Sequence, residues 1–194
     1  MTDKFHNKYR IPSARLQNWD YRWAGAYFIT ICTQNREHYF GEIENGEMQL
    51  SPIGAIADVL WHEIKNHTQN IELGAFVVMP NHIHGILILN GNVGNIGNDD
   101  NVETLHATSL RSTQQSTTDE FMASISPKSD SVSTIIRSYK SAVTKHTHRL
   151  GFDFAWQTRF HDHIIRDNIS FENIQTYINE NPIKWVDDKF YKQE

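Results

Sequence analysis

The stretch FVVMPNHIHGILIL, residues 76–89, restricts the fold more than any other part of the chain. Its two apolar arms are rich in Val, Ile and Leu, which suit a pleated, buried surface. Met79-Pro80-Asn81 interrupts them, because proline has no N–H to give a ladder and fixes its own φ. The pattern predicts two strands broken at the proline. The second arm opens with His82 and His84, in a strand otherwise built from Ile and Leu. Residues i and i+2 of a strand share a face, so the two histidines project together, in line with Ile86 and Ile88.

The neighbouring segments limit how those strands can be joined. AYFITICT, residues 26–33, is β-branched, aromatic and apolar on both faces, and reads as a central strand. HYFGEIENGEMQL reads as a hairpin turning at Asn45-Gly46. Ser51-Pro52 then opens a helix, with serine as N-cap and proline at the first helical position. Its apolar stripe is Ile53, Ile56, Ala57, Leu60, Trp61 and Ile64, a helical spacing. A second helix is expected from about Ser131 to His148, with Val132, Ile135, Ile136, Tyr139 and Val143 on its apolar face. FAWQTRFHDHIIR contains a further strand. Ser170 is expected to cap a third helix ending near Pro182.

With the hairpin set aside, the order is β-α-β-β-α-β. That predicts an α+β fold, the ferredoxin-like split βαβ arrangement, with an antiparallel sheet, helices on one face and a further C-terminal helix. A chain of 194 residues suits a single domain spanning 1–194. Residues 90–130 are dominated by Asn, Gly, Ser and Thr. With so little apolar surface to offset ordering entropy, they are expected to form a flexible insertion.

The formal net charge of −5 at first argues against a nucleic-acid partner, but its distribution alters that reading. Residues 90–130 hold six acids and two bases, leaving 16 bases against 17 acids elsewhere. Residues 131–150 carry Arg137, Lys140, Lys145 and Arg149 and no acid, and the first 23 residues carry five bases against two acids. Such local patches are compatible with phosphate binding, although many basic runs are only solvated faces. The N-terminal RIPSARLQNWDYRW mixes Arg10 and Arg15 with aromatics. That suits phosphate contact and base stacking, or a strap across the sheet. No run approaches the ~18 apolar residues of a membrane span, and the polar start lacks a secretory signal. A single cysteine, Cys32, cannot form an internal disulfide, which points to the cytoplasm.

His82 and His84 have two readings. They are a pair of metal ligands held rigidly by a strand, or two histidines at a strand mouth satisfied by hydrogen bonds. A buried sheet seldom accommodates two adjacent titratable groups unless something compensates them. Two tyrosines also stand out. Tyr139 falls on an apolar stripe, where core packing is its default role. Tyr177 borders the line Phe171, Ile174 and Ile178, with Asn181 at i+4 on nearly the same side. That pair reads either as a site or as a helix-end tyrosine followed by a stop signal.

AGAYFITICTQNREHYFGEI, FVVMPNHIHGILIL, WQTRFHDHIIRD and YINENPIKW, in this order, resemble the REP-associated tyrosine transposases, within the single-tyrosine HUH transposase superfamily. The likeness covers almost the whole chain outside 90–130. It implies a nuclease that cuts single-stranded DNA beside a hairpin and forms a 5′-phosphotyrosine link. It implies Tyr177 as nucleophile, with Tyr139 the alternative, and a divalent metal, Mg²⁺ or Mn²⁺, on His82, His84 and Asn181. Gln157 and Arg159 match positions suited to touching DNA, beside Arg10, Arg15, Arg137, Lys140 and Lys145. His163 matches a position supporting the site from behind its ligands, and Trp156 a core position. The implied partner is hairpin or single-stranded DNA, with no membrane, a monomer or homodimer, and a nucleoid-associated location. Two readings compete with this one: a domesticated hairpin-DNA binding protein that does not cut, and a metal-dependent hydrolase unrelated to DNA.

Overall fold

The computed structural model describes residues 23–68, 70–90 and 131–191, together with two short strands near the start, β1 (Lys4–Phe5) and β2 (Lys8–Tyr9). Arg10, Arg15 and the insertion beyond Asn90 lie outside the described residues. The elements that follow are β3 (Gly25–Cys32), β4 (Gly41–Glu44), β5 (Glu47–Leu50), α1 (Pro52–His67), β6 (Ile71–Met79) and β7 (His82–Leu89). The chain then forms α2 (Val132–Arg149), β8 (His161–Ile165) and α3 (Asn168–Glu180). No described helix is long and apolar enough to cross a membrane.

Four strands make one antiparallel sheet in the order β6-β7-β3-β8. The first and second strands of the sheet thus flank the third, which is the split βαβ arrangement expected from the sequence. β3 is central and lies between β7 and β8, in keeping with its two apolar faces. β4 and β5 form the separate hairpin, with Asn45 (φ 53°) and Gly46 (φ 80°) both left-handed in its turn.

The two faces of the sheet carry different cargo. On one, Tyr27, Ile29, Ile31, Ile83 and Leu87 meet α1 and α2 through Ala57, Trp61, Ile135, Ile136 and Val143. Each fully buried side chain of this size contributes ~1.5–3 kcal/mol of transfer free energy. Ser51 Oγ accepts from Gly54 N (3.1 Å), capping α1 as expected. Gly85 permits the close packing of Trp61, since any Cβ there would run into the indole ring. On the other face, Ile86 and Ile165 meet α3 through Ile178, with Phe28, Val77, Phe171 and Ile174 around them. Alternation along β7 decides the division: Ile83 and Leu87 go one way, and His82, His84 and Ile86 go the other.

One boundary differs from expectation. α3 is capped by Asp167, not Ser170: the Asp167 carboxylate accepts from Ser170 N (2.8 Å) and Ser170 Oγ (2.9 Å). Ser170 is thus the third residue of the helix, and its N–H is one of the orphan donors that the cap satisfies. The same two bonds hold the Asp167 carboxyl below its usual range.

Candidate metal and tyrosine site

The Pro80-Asn81 link between β6 and β7 is held by its own carbonyls. Pro80 O accepts from Phe40 N (3.0 Å), and Asn81 O accepts from Thr33 N (3.0 Å) and Thr33 Oγ1 (2.9 Å). The turn fixes the start of β7, where His82 lies opposite Cys32 and Met79, and His84 opposite Thr30 and Val77. The histidines were expected at an open strand mouth. Instead His82 is 0% and His84 1% exposed. The cover comes from α3 and from the segment after it, whose Phe190 and Trp185 rings lie 4.6 and 5.9 Å from the His82 ring.

Each imidazole has its Nδ1 engaged. His82 Nδ1 lies 2.9 Å from Asn81 Oδ1. Asn81 Nδ2 donates to Phe190 O (2.9 Å), so the amide oxygen faces the ring and the proton sits on Nδ1. His84 Nδ1 lies 2.9 Å from Thr30 Oγ1. The two Nε2 atoms are left facing each other at 3.1 Å. Burial pushes the His82 pKa well down, reinforced by His84, and burial takes His84 down to about 3. Both rings are therefore neutral at physiological pH, the form that binds metal.

Tyr177 and Asn181 extend this cluster from α3. The Tyr177 hydroxyl is 3.2 Å from His84 Nε2 and donates to Asp188 Oδ2 (3.2 Å). Asn181 Nδ2 donates to the same carboxylate oxygen (3.2 Å), while its own Oδ1 is buried with no hydrogen-bond partner. Burial, then the Asp188 charge, raises the Tyr177 pKa to about 12. Tyr177 is 39% exposed and opens onto a groove of about 540 Å³, lined also by Asn173, Thr176, Asn181, Lys184 and Asp188.

The donor set fits a divalent cation. His82, His84 and Asp188 each offer one ligand atom, and these lie within 4.8 Å of one another. Two nitrogens 3.1 Å apart would subtend roughly a right angle at an ion about 2.1 Å from each. Sequence reasoning missed Asp188 and the supporting role of Asn81. A signal for Asp188 lies in KWVDDKF, where Trp185 and Phe190 flank the acids and bring the segment back onto the sheet.

The remaining candidates lie elsewhere. Tyr139 is on the opposite face, buried among core residues, and its hydroxyl donates to Ala57 O (2.9 Å). Burial pushes its pKa well up. Lys140 is not a free phosphate contact: its Nζ donates to Gln157 O (2.6 Å) and Thr158 O (3.4 Å). Trp156 packs between Phe40 and Phe154 and donates Nε1–H to Lys140 O (3.1 Å). Gln157, whose N–H binds Cys32 O (2.9 Å), is an exposed residue at the His82 end of the sheet. Arg137, Lys145 and Arg159 are exposed. His163 is exposed on β8 opposite Phe28, whose ring stacks on His84 at 5.1 Å.

No protein-family model matches the chain. An uncharacterized protein of Haemophilus influenzae (strain ATCC 51907 / DSM 11121 / KW20 / Rd) is 36% identical over 180 residues, covering 92% of each chain. Among solved structures, a REP-associated tyrosine transposase bound to a REP hairpin superposes with a TM-score of 0.56. The match covers 94% of this chain and 78% of that one, at 21% identity. The resemblance drawn from the four motifs is borne out in the fold. This chain belongs to the family of the Haemophilus influenzae protein, and its fold is that of the REP-associated tyrosine transposases.

Proposed function

We propose that the protein is a metal-dependent, single-tyrosine DNA endonuclease and strand transferase, a transposase acting on single-stranded DNA beside a hairpin. The observation that carries this reading is the meeting of three groups. The Tyr177 hydroxyl, accessible from solvent, lies 3.2 Å from His84 Nε2, which lies 3.1 Å from His82 Nε2. A core tyrosine has no use for such a position; Tyr139, with its hydroxyl on a backbone carbonyl, is the contrast within the same chain.

In this reading Tyr177 Oη attacks the scissile phosphorus. A P–O bond to tyrosine forms, the P–O3′ bond breaks, and a free 3′-OH leaves. The 5′-phosphotyrosine conserves the bond energy, so a second 3′-OH can reverse the exchange without ATP. A divalent cation on His82 and His84 would neutralise charge on the phosphate in the transition state. The chain's own groups do the rest. Asn81 and Thr30 hold the two rings so that their Nε2 atoms converge. Asp188 Oδ2 holds the proton side of the Tyr177 hydroxyl. The groove beside α3 leaves room for a strand to reach the hydroxyl. The similar transposase bound to a REP hairpin supports hairpin DNA as the partner.

The test is incubation with a labelled DNA hairpin carrying a single-stranded flank, with Mg²⁺ or Mn²⁺. A covalent protein–DNA adduct is expected. Tight hairpin binding with no adduct under any divalent metal would select the non-cutting DNA-binding reading instead.

A further inference from the structure

The segment after α3 contributes a built part of the candidate site, and this points to a ligand outside the helix. Resting on the metal-dependent reading above, we propose that the third protein ligand of the metal is the Asp188 carboxylate, and that Asn181 orients that carboxylate.

Three observations carry the assignment. First, the Asp188 carboxylate shares one small volume with the free nitrogens of His82 and His84, their ligand atoms lying within 4.8 Å of one another. Second, Asn181 turns its N–H group, a donor that cannot ligate, toward Asp188 Oδ2 at 3.2 Å. A carboxylate held this way is the usual arrangement around a ligand, with an outer partner fixing the group that binds. An anionic oxygen also offsets a dication's charge, which a neutral amide oxygen does not. Third, Asp188 is tied to the histidine pair by a continuous chain of hydrogen bonds. Phe190 N donates to Asp188 Oδ1 (2.6 Å), Asn81 Nδ2 donates to Phe190 O (2.9 Å), and His82 Nδ1 donates to Asn81 Oδ1 (2.9 Å). Buried Trp185 anchors the same segment, and the Arg36 guanidinium lies 4.0 Å over the Phe190 ring. The position of Asp188 is therefore set by the residues that set His82.

The two assignments separate on Mn²⁺ affinity, measured by titration calorimetry on the full-length protein without DNA. Asp188→Asn keeps the shape and removes the charge, and Asp188→Ala removes the ligand altogether. Both are expected to weaken Mn²⁺ binding by more than the ~10–100-fold that loss of an outer partner costs. Asn181→Ala is expected to stay within that outer-partner range. Thermal melting of each variant checks that it is folded. The proposal is overturned if both Asp188 variants bind Mn²⁺ within about tenfold of the parent, or if Asn181→Ala is the most damaging of the three. A His82→Ala/His84→Ala variant identifies which idea has failed. If it loses Mn²⁺ while the Asp188 variants keep it, only the third ligand is wrong. If it too binds normally, the metal site itself is wrong.

Discussion

A buried histidine normally needs both ring nitrogens satisfied, yet His82 and His84 each have one satisfied by an oxygen and turn the other toward its twin. That arrangement makes acid costly. The unfolded chain takes up protons near pH 6.5, whereas the folded chain refuses them on His84 until about pH 3, and on His82 until well below its ordinary value. Stability of the metal-free protein should therefore be full above pH 6.5 and fall as pH drops below it. The slope is at most about 1.4 kcal/mol per pH unit for each ring. Urea unfolding between pH 7.5 and pH 5 measures this, and a flat profile would contradict the buried, neutral pair. The two tyrosines give an opposed expectation at the same scale. Tyr139→Phe leaves Ala57 O without its partner and should cost about 1–3 kcal/mol of stability, seen as a lower urea midpoint. Cutting by the folded variant should stay within a small factor of the parent.

The relation of His82 to His84, and of Tyr177 to Asn181, was legible because each is local geometry. A strand puts i and i+2 on one face, and a helix puts i and i+4 on one side. Asp188 was not legible. Its placement depends on Asn81 meeting Phe190, a contact across 109 positions of sequence that no periodicity announces. The α3 cap was misread for a related reason. Asp167 and Ser170 are both good caps, and only the bonds to Ser170 show which one stands outside the helix.

At the level of elements, the sheet works as a partition. β7 places its odd-numbered apolar residues under α1 and α2 and gives its even-numbered positions to α3, the histidines included. This division was readable from the alternation, while the complete cover over the histidines was not, because α3 and the segment after it come from far along the chain. Gly85 keeps the partition tight on the α1 side. Gly85→Ala should force Trp61 out of its place against Phe76, where the rings stack at 4.6 Å. A loss of about 1–3 kcal/mol is expected, typical of overpacking, with calorimetric melting as the measurement. An unchanged melting temperature would mean that α1 shifts freely on the sheet.

For the whole molecule, the order β6-β7-β3-β8 follows from the strand and helix order read in the sequence. The role of 90–130 does not follow from it, and we propose that this segment is dispensable for chemistry. Its Asn, Gly, Ser and Thr content motivates this, as does its position between Leu89, the last residue of β7, and Ser131, the N-cap of α2. Loop length changes closure entropy only slowly, ~0.6 kcal/mol per doubling. Replacing residues 92–129 with a short Gly/Ser linker should leave melting and hairpin cutting largely intact. A shortened protein that folds but cannot cut would assign the segment a role in catalysis or DNA binding.

The central claim is that Tyr177 carries the chemistry, and peptide mapping of the trapped adduct tests it most directly. The protein is incubated with a labelled hairpin and Mn²⁺, digested, and the DNA-linked peptide is sequenced by mass spectrometry. The account predicts DNA on the peptide containing Tyr177, and no adduct from Tyr177→Phe, a variant that should still bind the hairpin and Mn²⁺. DNA on the Tyr139 peptide, or an adduct from Tyr177→Phe as abundant as the parent's, would contradict it.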